Sequence, residues 1–281
     1  MTVTVTAPPA AAPPHSLLRA AITNRDDDAG GEWVRGLQYV SETCGGYRAL
    51  SDCTAEELDQ GAAAGVADAV VYRPWDLQVQ DPCPTTFGYQ EAEVTARLRR
   101  AADSIESYAI ARELWTGELS EQEAAAIGGG AEPNLYLAKD PTVLGSGPVS
   151  PRRGLGLLQK AAGDAFHGQQ VFLHIARDAI TMFGPDLAKV GNLLYTNLDN
   201  VVVADAGYPG TPPEGTSAAA NVSWMYATGP VVVRRSPLVL DSANDAEVID
   251  TRTNTIRRTA GKRVAATFDT CAYFAVPITL S

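Results

Sequence analysis

Apolar residues recur at helical spacing in two stretches of this chain. Between Tyr89 and Gly117, Val94, Leu98, Ala101, Ile105 and Tyr108 follow at steps of four, three, four and three, which lays one apolar stripe along a helix. Glu91, Glu93, Arg97, Arg99, Arg100, Asp103 and Glu106 fill the other faces, and Gly117 supplies the stop. A helix from Gln90 to Thr116 would span about 40 Å at ~1.5 Å per residue. Residues 152–166 predict a second helix, with Leu155, Leu158, Ala162 and Phe166 near one face.

The period then changes. Val171, Leu173 and Ile175 alternate as a buried strand, Ala179, Ile180 and Phe183 suit a short helix, and 193–206 reads as a strand pair. From "NVSWMYATGPVVVRRSPLVL" to "VAATFDTCAYFAVPITL" the last third is dominated by strands. Upstream, "EWVRGLQYV" and "VADAVVYRPWDLQVQ" also read as strands, separated by a long turn-rich excursion. Pro74 and "DPCPTT" would restrict them to edge positions. Residues 1–14 alternate Thr and Val and then turn Pro-rich, which predicts a mobile or extended tail. The mixed order of helices and strands, without internal repeats, reads as α+β.

Composition narrows the function more by exclusion than by assignment. A formal charge of −11 argues against general nucleic-acid binding. No apolar run is long enough to span a bilayer, and the N-terminus lacks the basic start and apolar core of a secretory signal, so an intracellular origin is expected. The four cysteines, Cys44, Cys53, Cys83 and Cys271, lack Cys-x-x-Cys spacing and nearby histidines, so reduced or buried thiols are expected rather than zinc. His15 sits in the Pro-rich tail, His167 closes a helix, and His174 lies on the strand face opposite Val171, Leu173 and Ile175. None has a catalytic partner in the sequence. "GSG" at 145–147 lacks the frame of a nucleophile elbow, and "RRGLGLLQK" lacks the third glycine of a dinucleotide fingerprint. "RDDDAGGE" lacks the alternation and distal Glu of a calcium loop. No cofactor, metal or catalytic residue is expected. A stiff ladder ending in "DAGYPGTPPEGTS" leaves two readings: an enzyme with a mobile loop, or a subunit whose loop meets its neighbours.

The order of elements, with "ARLRRAADSIESYAIARELWTG", "QVFLHIARDAITMFG", "LLYTNLDNVVVADAGYPG" and "AATFDTCAYFAVPITL", resembles the major capsid proteins of tailed bacteriophages of the Hong Kong 97 type. Their fold is shared with encapsulin shells. The resemblance implies an N-terminal arm at 1–31, an extended E-loop-like segment at 32–88 and the spine helix with part of the peripheral (P) domain at 89–150. An axial (A) domain with a loop at 207–220 would occupy 151–230, and 231–281 would return through the P-domain sheet. It implies a structural protein that assembles with itself into hexamers and pentamers and encloses DNA without reading its sequence. Portal, scaffold or decoration partners, assembly in the host bacterial cytoplasm and a final place in the virion would follow. An encapsulin-like or minor head protein is the alternative. Trp33, Tyr39, Tyr72 and Trp75 are the expected anchors on neighbouring copies, and Tyr208, Pro209, Pro212 and Pro213 the expected contacts of a flexible tip at a symmetry axis. Some family members weld subunits through an E-loop lysine. No lysine precedes Lys139 here, so that arrangement is not expected.

Overall fold

The computed structural model describes residues 13–25, 33, 36–39, 70–80, 85–86, 91–128, 132–215, 217–240, 249–250, 255–256 and 258–280. Its centre is a seven-stranded mixed sheet. In spatial order this runs β6 (Thr142–Val143), β17 (Phe274–Thr279), β11 (Val222–Thr228), β7 (Phe172–Ile175), β10 (Val201–Val203), β9 (Leu193–Thr196) and β8 (Leu187–Val190). The β7 strand is buried at all four positions because both sheet faces are covered. Val171, Leu173 and Ile175 pack with Val202, Met225, Val276 and Ile278 beneath α4 (Pro151–Ala165). The opposite face carries Phe172, Val201, Val203 and Tyr226. The expected face of α4 is the observed one, since Leu155, Leu158, Ala162 and Phe166 are all buried.

The second layer is a five-stranded sheet ordered β1 (Ile22–Arg25), β12 (Val231–Arg235), β16 (Thr259–Phe268) and β13 (Val239–Leu240), with β4 (Trp75–Gln80) also paired to β16. The β4 strand alternates strictly, burying Trp75, Leu77 and Val79. Two small pairings complete the described strands. One joins β2 (Leu37–Tyr39) to β3 (Val70–Tyr72); the other joins β14 (Ile249–Asp250), β15 (Thr255–Ile256) and β5 (Thr85–Thr86). Both stretches expected as strands before the spine helix thus contain strands.

The long helix is α2 (Glu91–Thr116), 26 residues and roughly 39 Å long. It joins the two layers. Val94, Leu98 and Ala102 cover Val79 and Ala260 of the five-stranded sheet, while Ile110, Leu114 and Trp115 enter the core with Val203 and Tyr226. The buried row is therefore 94, 98, 102, 106, 110 and 114, and it departs from the expected stripe after Leu98. Ile105 and Tyr108 are 43% and 42% exposed. An i+4 row precesses around a 3.6-residue helix, so α2 can face one sheet at its start and the other at its end.

At Gly117 the backbone turns left-handed (φ 63°) and starts α3 (Glu118–Ile127). A Cβ there would lie 2.0 Å from the Tyr136 ring. The Glu113 carboxylate accepts from Leu119 N and Ser120 N, capping α3 from the preceding helix.

Three expectations are corrected. The arm that the resemblance implied at 1–31 is not free over residues 13–25: α1 (Leu17–Ala20) fully buries Leu17, and β1 pairs in parallel with β12. The last segment, 231–281, is divided between sheets: β12 and β16 lie in the five-stranded layer, while β17 lies between β6 and β11. Cys271 is disulfide-bonded rather than a reduced thiol.

Candidate assembly surfaces

The "DAGYPG" segment that looked like a free tip is a latch against its own chain. Asp205, 2% exposed, is its hub. Its Oδ2 accepts from Leu17 N and from Ser107 Oγ of α2, both at 2.9 Å, and its Oδ1 accepts from Gly207 N at 3.1 Å. One carboxylate therefore caps α1, holds the spine helix and closes its own turn. Beyond it, Tyr208 lies tilted against Trp115 with ring centroids 5.0 Å apart, and Tyr226 meets the same indole edge-on at 4.7 Å. Trp115 Nε1 donates to Thr211 Oγ1, and Tyr226 Oη donates to Thr211 O, both at 3.0 Å. Trp224 N then donates to Gly210 O, and Glu214 N to Ala138 O.

His174 completes the latch. Thr228 Oγ1 donates to Gly229 O, so it is left to accept from His174 Nε2 at 3.0 Å. That places the imidazole proton on Nε2, and Nδ1 accepts from Tyr208 Oη at 2.8 Å. The ring is fully buried, cannot reach a substrate, and burial lowers its pKa to about 3. Its folded pKa lies below the ordinary value near 6.5. The unfolded chain therefore takes up the proton first as pH falls, and stability present above pH 6.5 is lost between 6.5 and about 3. In the isolated chain, this group should contribute a loss of about 1.4 kcal/mol per pH unit well below 6.5. Urea unfolding at pH 6.5 and 5 checks this: His174→Asn should show a smaller loss between the two pH values than the parent chain.

The expected contact residues divide sharply. Trp33, Tyr72 and Trp75 are 7%, 0% and 6% exposed, and Tyr208 is 4% exposed. These rings fill this chain's own core, so they are not exposed anchors for a neighbour. The Tyr39 side chain lies outside the described residues. Pro209 is exposed, and Pro212 and Pro213 are half-buried. The loop expected at 207–220 is thus held at Tyr208, Thr211 and Glu214, and its exposed side chains include Pro209, Glu214 and Ala219.

Sequence reading missed a surface beside β6. Val143, Pro148, Pro212, Ala219, Val222, Trp224 and Pro277 line an open, mainly apolar groove of about 440 Å³. The exposed strand residue Val143 and the run of prolines were the available signals. At the other end of the sheet, Val190 is 64% exposed in β8. Among the described residues no group of three or more His, Cys, Asp or Glu side chains could hold a metal ion, and no helix is long and apolar enough to cross a membrane.

No protein-family model matches the chain, and no curated protein matches it in sequence. Solved structures match over essentially its whole length. The capsid of a native GTA particle aligns with a TM-score of 0.59 at 11% identity, over 99% of this chain and 95% of its own. The holo-SrpI encapsulin complex of Synechococcus elongatus PCC 7942 aligns with a TM-score of 0.57 at 10% identity, over 100% and 94%. A chain from Mycobacterium phage Che8 aligns with a TM-score of 0.52 at 10% identity, over 98% and 96%. The spine helix, the two sheets and the strand order belong together in one architecture: this chain has the capsid fold of the Hong Kong 97 type.

Proposed function

We propose that this chain is a shell-forming major capsid protein that assembles with itself into the icosahedral head of a tailed bacteriophage. Pentamers and hexamers of the chain enclose the genome without sequence-specific contacts. The protein is structural rather than catalytic, assembles in the bacterial cytoplasm, and ends in the virion. The observation that carries this reading is coverage: capsid and encapsulin chains align end to end with this one, with neither side carrying a large unmatched domain. The charge of −11 fits a wall that contains DNA rather than grips it. Portal, scaffold and decoration proteins are the expected further partners, and 32–88 is assigned the part of an E-loop.

The encapsulin likeness favours a second reading, a shell that holds protein cargo instead of a genome. One experiment separates these. The expressed chain, imaged by negative stain and sized by analytical ultracentrifugation, is expected to form closed megadalton particles. Native particles that protect nuclease-resistant DNA support the head, and particles that retain only protein support the encapsulin reading. A chain that stays monomeric at high concentration, alone and with its co-expressed neighbours, overturns both.

A further inference from the structure

Among the described residues the seven-stranded sheet ends in two outer strands, β8 and β6, whose surroundings differ in character. On the β8 side, Lys189 and Val190 are exposed. Lys189 and Arg177 both act on His15 through space, so three basic groups gather at this corner. Neither cation has an ion-pair partner among the described residues. On the β6 side lies the apolar groove of Val143, Pro212, Ala219 and Trp224. Past its Pro212 end, Glu214 and Asp140 lie within electrostatic reach of the Tyr136 hydroxyl, whose pKa is raised chiefly by burial and by Glu121 and to a lesser degree by these two carboxylates. Arg112 pairs with Glu118 and Lys139 with Glu132, and among the described residues neither Asp140 nor Glu214 is in an ion pair.

Seven strands make six steps, so the corners lie roughly 29 Å apart at ~4.8 Å per step. They cannot meet within one chain. We infer that they meet between copies: the β8 edge of one subunit docks in the β6 groove of the next, with Val190 against Pro212 and Trp224, and Lys189 facing Glu214 and Asp140. This rests on the shell reading and names the surfaces it would use. A contact between two different faces of one chain is heterologous, and its repetition closes a ring when the rotation allows. Charge placed at the border sets register and encounter rate, while the apolar tip excludes water. The β8 strand has a free ladder on its outer side among the described residues, and a lysine there discourages indiscriminate edge pairing.

Particles assembled from an equal mixture of isotopically light and heavy protein can be treated with carbodiimide, which joins amines to carboxylates in contact. Lys189 should be found coupled to Glu214 or Asp140 in light–heavy pairs. Lys189→Glu should lower the assembly constant per contact about threefold to tenfold, because two like charges then meet. Adding Glu214→Lys should restore it. If particles form and Lys189 couples elsewhere, couples only within one chain, or tolerates reversal, this contact is wrong and the shell reading stands. If no particles form, neither survives.

Discussion

Glu106→Ala is expected to cost about 3–5 kcal/mol, a loss typical of breaking a buried ion pair by removing one partner. The carboxylate lies on the buried row of α2, with its side chain 5% exposed. Arg235 Nη1 of β12 lies 3.2 Å from Oε2, and Lys262 Nζ of β16 lies 2.8 Å from Oε1. The lysine approaches outside hydrogen-bonding geometry, so its attraction is that of an ion pair rather than a directed bond. Both cations are well covered, at 16% and 9% exposure. Truncating the glutamate strands two positive charges between a helix and a sheet. Thermal unfolding of the isolated chain should show Tm lower by roughly 6–10 °C, at about 2 °C per kcal/mol for a chain of this size. Pairing Glu106→Leu with Lys262→Met should recover part of that loss, because the apolar pair avoids the desolvation cost. If Glu106→Ala leaves Tm unchanged, the spine helix is not fastened to the sheet here.

Gly207→Ala is expected to be comparably severe for a steric reason. A Cβ at this position would lie 2.3 Å from Tyr108 O and 2.7 Å from Arg112 N. Both are backbone atoms of α2, so no side chain can turn aside to relieve the contact. Either the helix shifts or the latch lifts, and lifting it breaks the Asp205 and Tyr208 contacts together. The cost should reach or exceed the upper end of ordinary overpacking, about 3 kcal/mol. Gly163→Ala in α4 is the control: its Cβ meets nothing within 4 Å, and the better helix former should add up to about 1 kcal/mol. Equal urea midpoints for the two variants would show that the latch does not need its close approach to α2.

Glu106 also explains how far the sequence could be read. The α4 face was legible because each of its buried residues is apolar. The α2 face was legible only to Leu98, because the buried row continues through Ala102, beside the equally apolar Ala101, and then through a glutamate that resembles a surface residue until Arg235 and Lys262 are placed beside it. Those partners lie more than a hundred residues away in the chain, beyond any local pattern. The same limit applies to the latch. Gly and Pro in "DAGYPG" read locally as a mobile tip, whereas Asp205 and Tyr208 acquire their meaning from Leu17, Ser107, Trp115 and His174. The family resemblance placed residues 13–25 in an arm, although Leu17 and the parallel pairing of β1 build them into the body. Element order carried the fold; long-range pairing decided which aromatic rings remained available to a neighbour.

The place of β17 has a consequence for biosynthesis. It fills the slot between β6 and β11, pairing with residues made more than a hundred positions earlier on one side and about fifty on the other. While that slot is empty, a nascent chain has a gap in its sheet and an incomplete wall to the neighbouring groove, where Pro277 forms part of the lining. A chain still on the ribosome therefore lacks this wall of the groove, and the surface is finished only after translation has passed this strand.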